Sequence, residues 1–194
     1  MFPSRRIATS GGDVYQNYYS LQFDGSNDYV DGGNDSSLNW GDGDGTVACW
    51  FKTDDSGTSD IVLNGSYSTN GKTYALYVDG SSKIAFAIDD NNTSGTGGLK
   101  TVVSGTSVND NIWRHVAGVR VGTNIRLYVD GIEDSNSPTA IAAYGSLDIA
   151  DKFFIGAGTN ASDSSIGNFF QGSVKNVGTW TRALSQTPTS STFP

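Results

Sequence analysis

The 194-residue chain has one cysteine, one histidine, one methionine and one glutamate. A lone Cys49 cannot close an intrachain disulfide, so burial alone must hold the fold, and the sequence does not demand an oxidising compartment. Its apolar neighbour Ala48 and the adjacent Trp50 suggest a buried, inert thiol. A lone His115 cannot build a histidine-based zinc cluster. A lone Glu133 cannot supply a glutamate pair for sugar hydrolysis; two Asp could, but no Asp-x-Asp or Asp-x-x-Asp falls within a clear strand. No apolar run approaches the roughly 18 residues of a membrane span. The positive start Met1–Arg6 is followed by the polar stretch Ile7–Gly12, which is not the core of a secretion signal, so the expectation is either folding in the cytosol or a trimmed chain given a new Met. Basic residues number 12 against 20 acidic ones, for a net charge of −8 at pH 7. No basic stripe is visible, and nucleic acid is excluded as a partner on that ground.

What the chain does contain points to sheets. Val, Ile and Thr together number 43, against 14 for Leu, Met, Glu and Gln. Branching at Cβ suits a pleated strand, and straight-chain helix formers are scarce. Gly, Ser, Asn and Asp sum to 84, the chemistry of many turns. Short alternating segments separated by such turns recur from Ser20 onward. Thr46–Lys52 is apolar on both faces, as a central strand should be. Lys83–Ile88 places Ile84, Phe86 and Ile88 together, and Asn124–Val129 does the same for Ile125, Leu127 and Val129. Trp113–Val121 sets Trp113, His115, Ala117, Val119 and Val121 on one side. The tetrapeptide Tyr-Val-Asp-Gly occurs at 29–32, 77–80 and 128–131. A propeller repeat is the wrong reading, because the flanks differ. Asp-Gly is a favoured hairpin turn, and the strand residues before it resemble one another. Residues 1–19 read as a polar arm, 20–185 as one domain and 186–194 as an extended tail.

The order of these segments resembles the laminin G-like branch of the concanavalin A-like lectin/glucanase superfamily. The matching pieces are 21–30, 47–52, 113–119, 125–131, 154–156 with 170–174, and 182–185. The resemblance implies an all-β, antiparallel two-sheet jelly-roll sandwich. Trp50 and Trp113 sit in strands, where large aromatics fill the core, so both are expected there; Trp180, standing where the family often has Tyr, is expected as a packing residue closing the sandwich. Where the family's C-terminal strand carries an acidic pair, this chain has Lys175 and Asn176, which puts inherited metal binding in doubt.

No catalytic residue is expected. Glu133 follows the Asp130-Gly131 turn and reads as a solvated hairpin residue, and His115 reads as a sheet residue. Calcium has candidate ligands in Asp42-Gly43-Asp44-Gly45, Asp54-Asp55 and Asp89-Asp90-Asn91-Asn92, none with a complete calcium-loop pattern. Sugar rings stack on exposed aromatic faces, and Trp40, Tyr67 and Tyr144 are the candidates on expected loops. Two functions emerge. The first is a structural protein of a bacteriophage virion surface, decorating the capsid or tail, with its arms docked on other virion proteins. The second is an extracellular carbohydrate-binding adhesion module that meets cell-surface glycans.

Overall fold

The computed structural model describes residues 19–67, 72–91, 98–141, 144–159 and 165–185. The arm 1–18 and the tail 186–194 lie outside the described residues, as does Asn92. Among the described residues, fifteen strands follow in chain order: β1 Leu21–Asp24, β2 Val30–Asp31, β3 Gly45–Lys52, β4 Ser59–Gly65, β5 Thr73–Val78, β6 Lys83–Asp89, β7 Lys100–Ser107, β8 Arg114–Val121, β9 Asn124–Val129, β10 Ile132–Glu133, β11 Thr139–Ala140, β12 Phe153–Ile155, β13 Gly158–Thr159, β14 Ile166–Gly167 and β15 Gln171–Trp180. Among the described residues the sole helical element is a 3-10 turn, Ser36–Leu38.

One sheet runs β1-β15-β3-β8-β9-β10, with β11 also paired to β9. The other runs β2-β12-β4-β5-β6-β7, and β13 and β14 form a small separate ladder. This is the expected all-β, antiparallel two-sheet sandwich. The first sheet is closed by distant segments, since β15 pairs with both β1 and β3. β3 occupies the expected central place, between β15 and β8.

The core lies between the sheets. From the first come Val47, Cys49, Phe51, Val116, Ile125, Leu127 and Val174; from the second come Val62, Tyr74, Leu76, Ile84, Phe86 and Ile88. Each such side chain taken out of water stabilises the fold by about 1.5–3 kcal/mol. At Gly118 an added Cβ would meet the Phe86 ring of the facing sheet. Burial pushes the Cys49 thiol far above its usual range, which makes it inert as expected.

Two of the three Tyr-Val-Asp-Gly copies end in hairpin turns. Asp130 and Gly131 both adopt positive φ, 50° and 78°, between β9 and β10. The Asp79 carboxylate accepts from the amides of Ser81 and Lys83 between β5 and β6, each at 2.9 Å. The third copy ends in strand pairing: the Gly32 amide donates to the Phe153 carbonyl.

The two faces of β3 have different fates. Val47, Cys49 and Phe51 are buried in the core, whereas Trp50 and Lys52 are only half-buried and face away from it. The expected core role of Trp50 and Trp113 is therefore corrected. Trp113 and His115 share the outward side with Trp50, because His115 pairs directly with Trp50 across β3 and β8. Inward positions on β8 go instead to Val116, Gly118 and Arg120. Alternation alone could not assign these faces, since both sides of β3 are apolar in sequence.

Candidate functional site

The outer face of the first sheet gathers three of the four tryptophans. Trp50 lies between Lys175 of β15 and His115 of β8 in the strand register. Its ring centroid is 5.4 Å from that of His115. The Lys175 ammonium stands 4.7 Å from the Trp113 ring centroid and 5.7 Å from that of Trp50. The Lys52 ammonium approaches the Trp113 ring to 5.7 Å. These are cation–π distances. One row further on, Gly178, Ala48, Ala117 and Tyr128 continue the face across β15, β3, β8 and β9. Gly178, Ala48 and Ala117 leave the centre of the platform low. Trp180 lies over Gly178, where an added Cβ would meet its ring, and is 38% exposed. It is a surface residue of this platform, which corrects its expected packing role.

Local geometry explains how β15 presents Lys175. A bulge falls between Lys175 and Gly178, with Asn176 at φ 54°. An extra residue on one strand re-aims the side chains beside it. A groove of about 380 Å³ borders Lys175, lined by Tyr19, Leu21, Ile155 and Val177 among others. On the far side, both carboxylate oxygens of Glu133 accept from Arg126 Nη1, at 2.7 and 2.8 Å. The Ser137 hydroxyl also donates to Glu133, at 2.9 Å. Glu133 is thus a clamp of the β9–β10 hairpin, half-buried and occupied. Burial lowers the pKa of His115 below the usual imidazole value, with Asp130 opposing.

The aromatics expected to carry a ligand are placed differently. Trp40 is 4% exposed and belongs to the core. Its ring stacks on Tyr74, with centroids 4.0 Å apart and planes 6° from parallel. Its Nε1 donates to Thr179 Oγ1 at 3.0 Å. No face remains for a sugar, and the expectation for Trp40 is corrected. Tyr67 turns its hydroxyl inward, donating to Asp60 at 2.6 Å. Tyr144 is half-buried, donates to the Gly98 carbonyl at 2.6 Å and has the Arg120 guanidinium 5.6 Å from its ring centroid. Trp40, Tyr67 and Tyr144 are not brought together into a site.

The acidic candidates for calcium serve their own loops. Arg120 donates to the carbonyls of Gly41 and Asp42, so this loop already carries a cation. Asp44 caps the Gly122 amide at 2.8 Å. Asp55 accepts from the amides of Ser56 and Gly57, and Asp54 from the Gln171 side chain. Asp89 accepts from the Asn91 amide, and Asp90 accepts from the amides of Gly98 and Gly145. Among the described residues, no three His, Cys, Asp or Glu side chains gather as a metal cluster would require.

One buried carboxyl lies elsewhere, on the outer side of the second sheet. Asp60 is 2% exposed, and its oxygens accept from Tyr67 and from Asn168 Nδ2. Burial raises it to about 6, against the pull of those two hydrogen bonds. The folded state therefore holds this proton more tightly than the unfolded chain does. The stability due to this proton is fully present below about pH 4 and is lost as pH rises through about 6. A shift of two units corresponds to roughly 3 kcal/mol. Asp60→Asn is expected to flatten the stability profile between pH 4 and 7, read by urea denaturation of both proteins at each pH.

The sequence profile of the concanavalin A-like lectin/glucanases superfamily, laminin G type, matches residues 24–188. The chain belongs to this family. Several solved structures share its fold. Domains LG4-5 of the mouse laminin alpha1 chain superpose with a TM-score of 0.66 at 14% identity, covering 100% of this chain and 48% of that one. The chain thus spans about half of that laminin fragment. A heptameric SAP-like pentraxin from Limulus polyphemus gives 0.63 at 16% identity, covering 86% and 77%. The carbohydrate-binding module CBM40 of a Ruminococcus gnavus IT-sialidase, bound to α2,3-sialyllactose, gives 0.64 at 16% identity, covering 86% and 92%. At these identities the likeness establishes fold alone. No curated protein sequence matches the chain.

Proposed function

We propose that this protein is a non-catalytic carbohydrate-binding module, and that the outer face carrying Trp50 and Trp113 is its binding surface. The observation that carries the reading is the gathering of Trp50, Trp113 and Trp180 on one half-exposed sheet face beside Lys52 and Lys175. Large apolar side chains on an outer face, rather than in the core, mark binding surfaces. Flat rings offer the apolar faces of sugars a stacking partner, and neighbouring polar groups orient them. The α2,3-sialyllactose on the Ruminococcus gnavus module supports a saccharide as the class of ligand for such a sandwich. The engagement of Glu133 with Arg126 and Ser137 supports the absence of hydrolysis, since an acid or base must be free to reach the glycosidic oxygen.

Adhesion through glycans is compatible with a place on a virion surface, the other role expected of the chain. That role rests on the terminal arms, outside the described residues, whereas the glycan reading needs only the sandwich.

The test is a glycan array probed with the whole chain, followed by calorimetry on the hits. Saturable binding with the saccharide recovered intact is expected. Cleavage of a bound saccharide by the purified protein would contradict the non-catalytic reading.

A further inference from the structure

Separate segments of the chain meet at one carboxyl on the outer side of the second sheet. Asp60 stands on β4 beside a bulge between Asp60 and Val62, with Tyr77 of β5 as its cross-strand neighbour. Tyr67, just past β4, donates its hydroxyl to one carboxyl oxygen at 2.6 Å. Asn168, just past β14, donates Nδ2 to the other at 3.0 Å, and the Asp60 amide donates to the Asn168 carbonyl at 2.9 Å. β13 lies directly against the carboxyl, since a Cβ added at Gly158 would meet Oδ2. A further link ties the same pieces together: the Tyr67 amide donates to Thr159 Oγ1 at 3.2 Å. What these segments cover is apolar. Leu63, Ala75 and Phe154 form a buried cluster apart from the main core, with Tyr67, Tyr77 and Ile166 of β14 packed against it.

We propose that Asp60 is a proton-operated catch: protonated, it keeps Tyr67, Asn168 and the β13–β14 ladder closed over Leu63, Ala75 and Phe154, and loss of the proton frees this cover without unfolding the sandwich. An ionised carboxyl here keeps two donors but has no cation, since no ion pair among the described residues involves Asp60. The titratable groups around it are Tyr67, Tyr77 on β5, and Asp79 beyond β5, whose charge acts on Tyr77. Burial raises both tyrosines, so they stay neutral where Asp60 titrates. Asn168 and the residues of β13 and β14 carry no titratable side chain, and Asp163, between those strands, lies outside the described residues. Closed, the carboxyl keeps its proton up to about pH 6. Opened to water, it releases the proton at about pH 4, the ordinary carboxylate value. Below that both states are protonated and pH has no effect. Between the two values opening releases a proton, so rising pH favours it; above about 6 both states are ionised and the effect levels off. Freeing the cover hydrates the carboxylate while the two sheets stay packed, so it costs less than exposing the whole core.

The experiment is amide hydrogen exchange of the full chain by NMR, expressed as protection relative to each amide's unprotected rate at the same pH. Protection of the Asp60 and Tyr67 amides and of the β13–β14 ladder is expected to fall at least ~10-fold from about pH 4 to about pH 8, out of the roughly 100-fold that two units allow, and to level off above about pH 6. At the upper pH these amides should exchange ahead of those of Leu76 and Phe86 in the core. Low urea should leave their exchange unchanged while speeding that of the core, because local opening exposes little surface. Asp60→Asn should abolish the pH dependence. Tyr67→Phe removes a hydrogen bond that favours the ionised form, so it should move the levelling point to higher pH. Asp163→Asn should change neither. If Asp60→Asn folds poorly, the side-chain carboxyl carbon signal of Asp60 in the unsubstituted chain decides, and it should titrate near 6. A carboxyl titrating in the ordinary range, or cover protection independent of pH, overturns the proposal. So does a pH dependence that survives Asp60→Asn or disappears in Asp163→Asn. Cover amides that exchange together with the core and share its urea dependence also overturn it, since only global unfolding then hydrates Asp60.

Discussion

Trp40→Ala is expected to destabilise the protein by about 3–5 kcal/mol, the range for deleting a large aromatic from a packed core. Three features put the effect at the high end. The Trp40 ring stacks flat on Tyr74 and lies where Gly45 has no side chain. Its Nε1 donates to Thr179 Oγ1, which also meets the Tyr74 hydroxyl at 3.2 Å. The Tyr74 hydroxyl in turn donates to the Leu38 carbonyl at 2.8 Å. Losing the indole opens a cavity and leaves part of this polar chain unmet inside the sandwich. A domain of this size loses roughly 2–4 °C of melting temperature per kcal/mol, so a drop on the order of 10 °C should appear by thermal denaturation. The folded fraction should still bind saccharide normally. A variant of unchanged melting temperature that no longer binds would contradict this placement of Trp40.

Trp113→Ala should do the reverse. The ring is half-buried on the outer face and contributes little to the core. It also supports the ammoniums of both Lys52 and Lys175. Removing it takes away a stacking surface and lets both lysines swing into water. Truncation of a central aromatic anchor typically costs about 2 kcal/mol or more, a loss of roughly 30-fold in affinity. Trp50→Ala should follow in the same direction, because it flanks Lys175 and His115. Calorimetry gives the affinity and differential scanning calorimetry the stability. Affinity should fall sharply in both variants while the melting temperature moves by only a few degrees.

These contrasts mark the boundary of what the sequence could tell. Strand identity was legible because local chemistry decides it: β-branched alternation placed β6 and β9, and Asp130-Gly131 placed the turn after β9. The two-residue strands β10, β11, β13 and β14 carry no periodic signal of their own and exist through their partners. The direction each face points was not legible for β3 and β8. Val47, Cys49 and Phe51 are no more apolar as a set than Ala48 and Trp50, so only the second sheet could decide which set is enclosed. Trp40 misled for a related reason. It lies outside any strand, among Gly, Asn and Asp, and is enclosed because Tyr74 and Gly45, distant in space until the chain folds, shape a slot for it. The candidate site suffered most, since Lys52 and Lys175 stand on β3 and β15, which only the register brings together. One sequence signal did mark it: the family's acidic pair is replaced by Lys175 and Asn176. That replacement speaks against an inherited metal site, but the neighbours of the new cation come only from the register.

The central claim is that the aromatic floor of the first sheet is where a saccharide lands. The most direct test follows the four tryptophan indole N–H signals by NMR while a saccharide retained on the glycan array is titrated into the labelled protein. Trp50 and Trp113 should shift progressively to saturation while Trp40, enclosed against Tyr74, stays in place. Saturable binding that moves the Trp40 signal or the loop residues Tyr67 and Tyr144, and leaves Trp50 and Trp113 where they were, would contradict it.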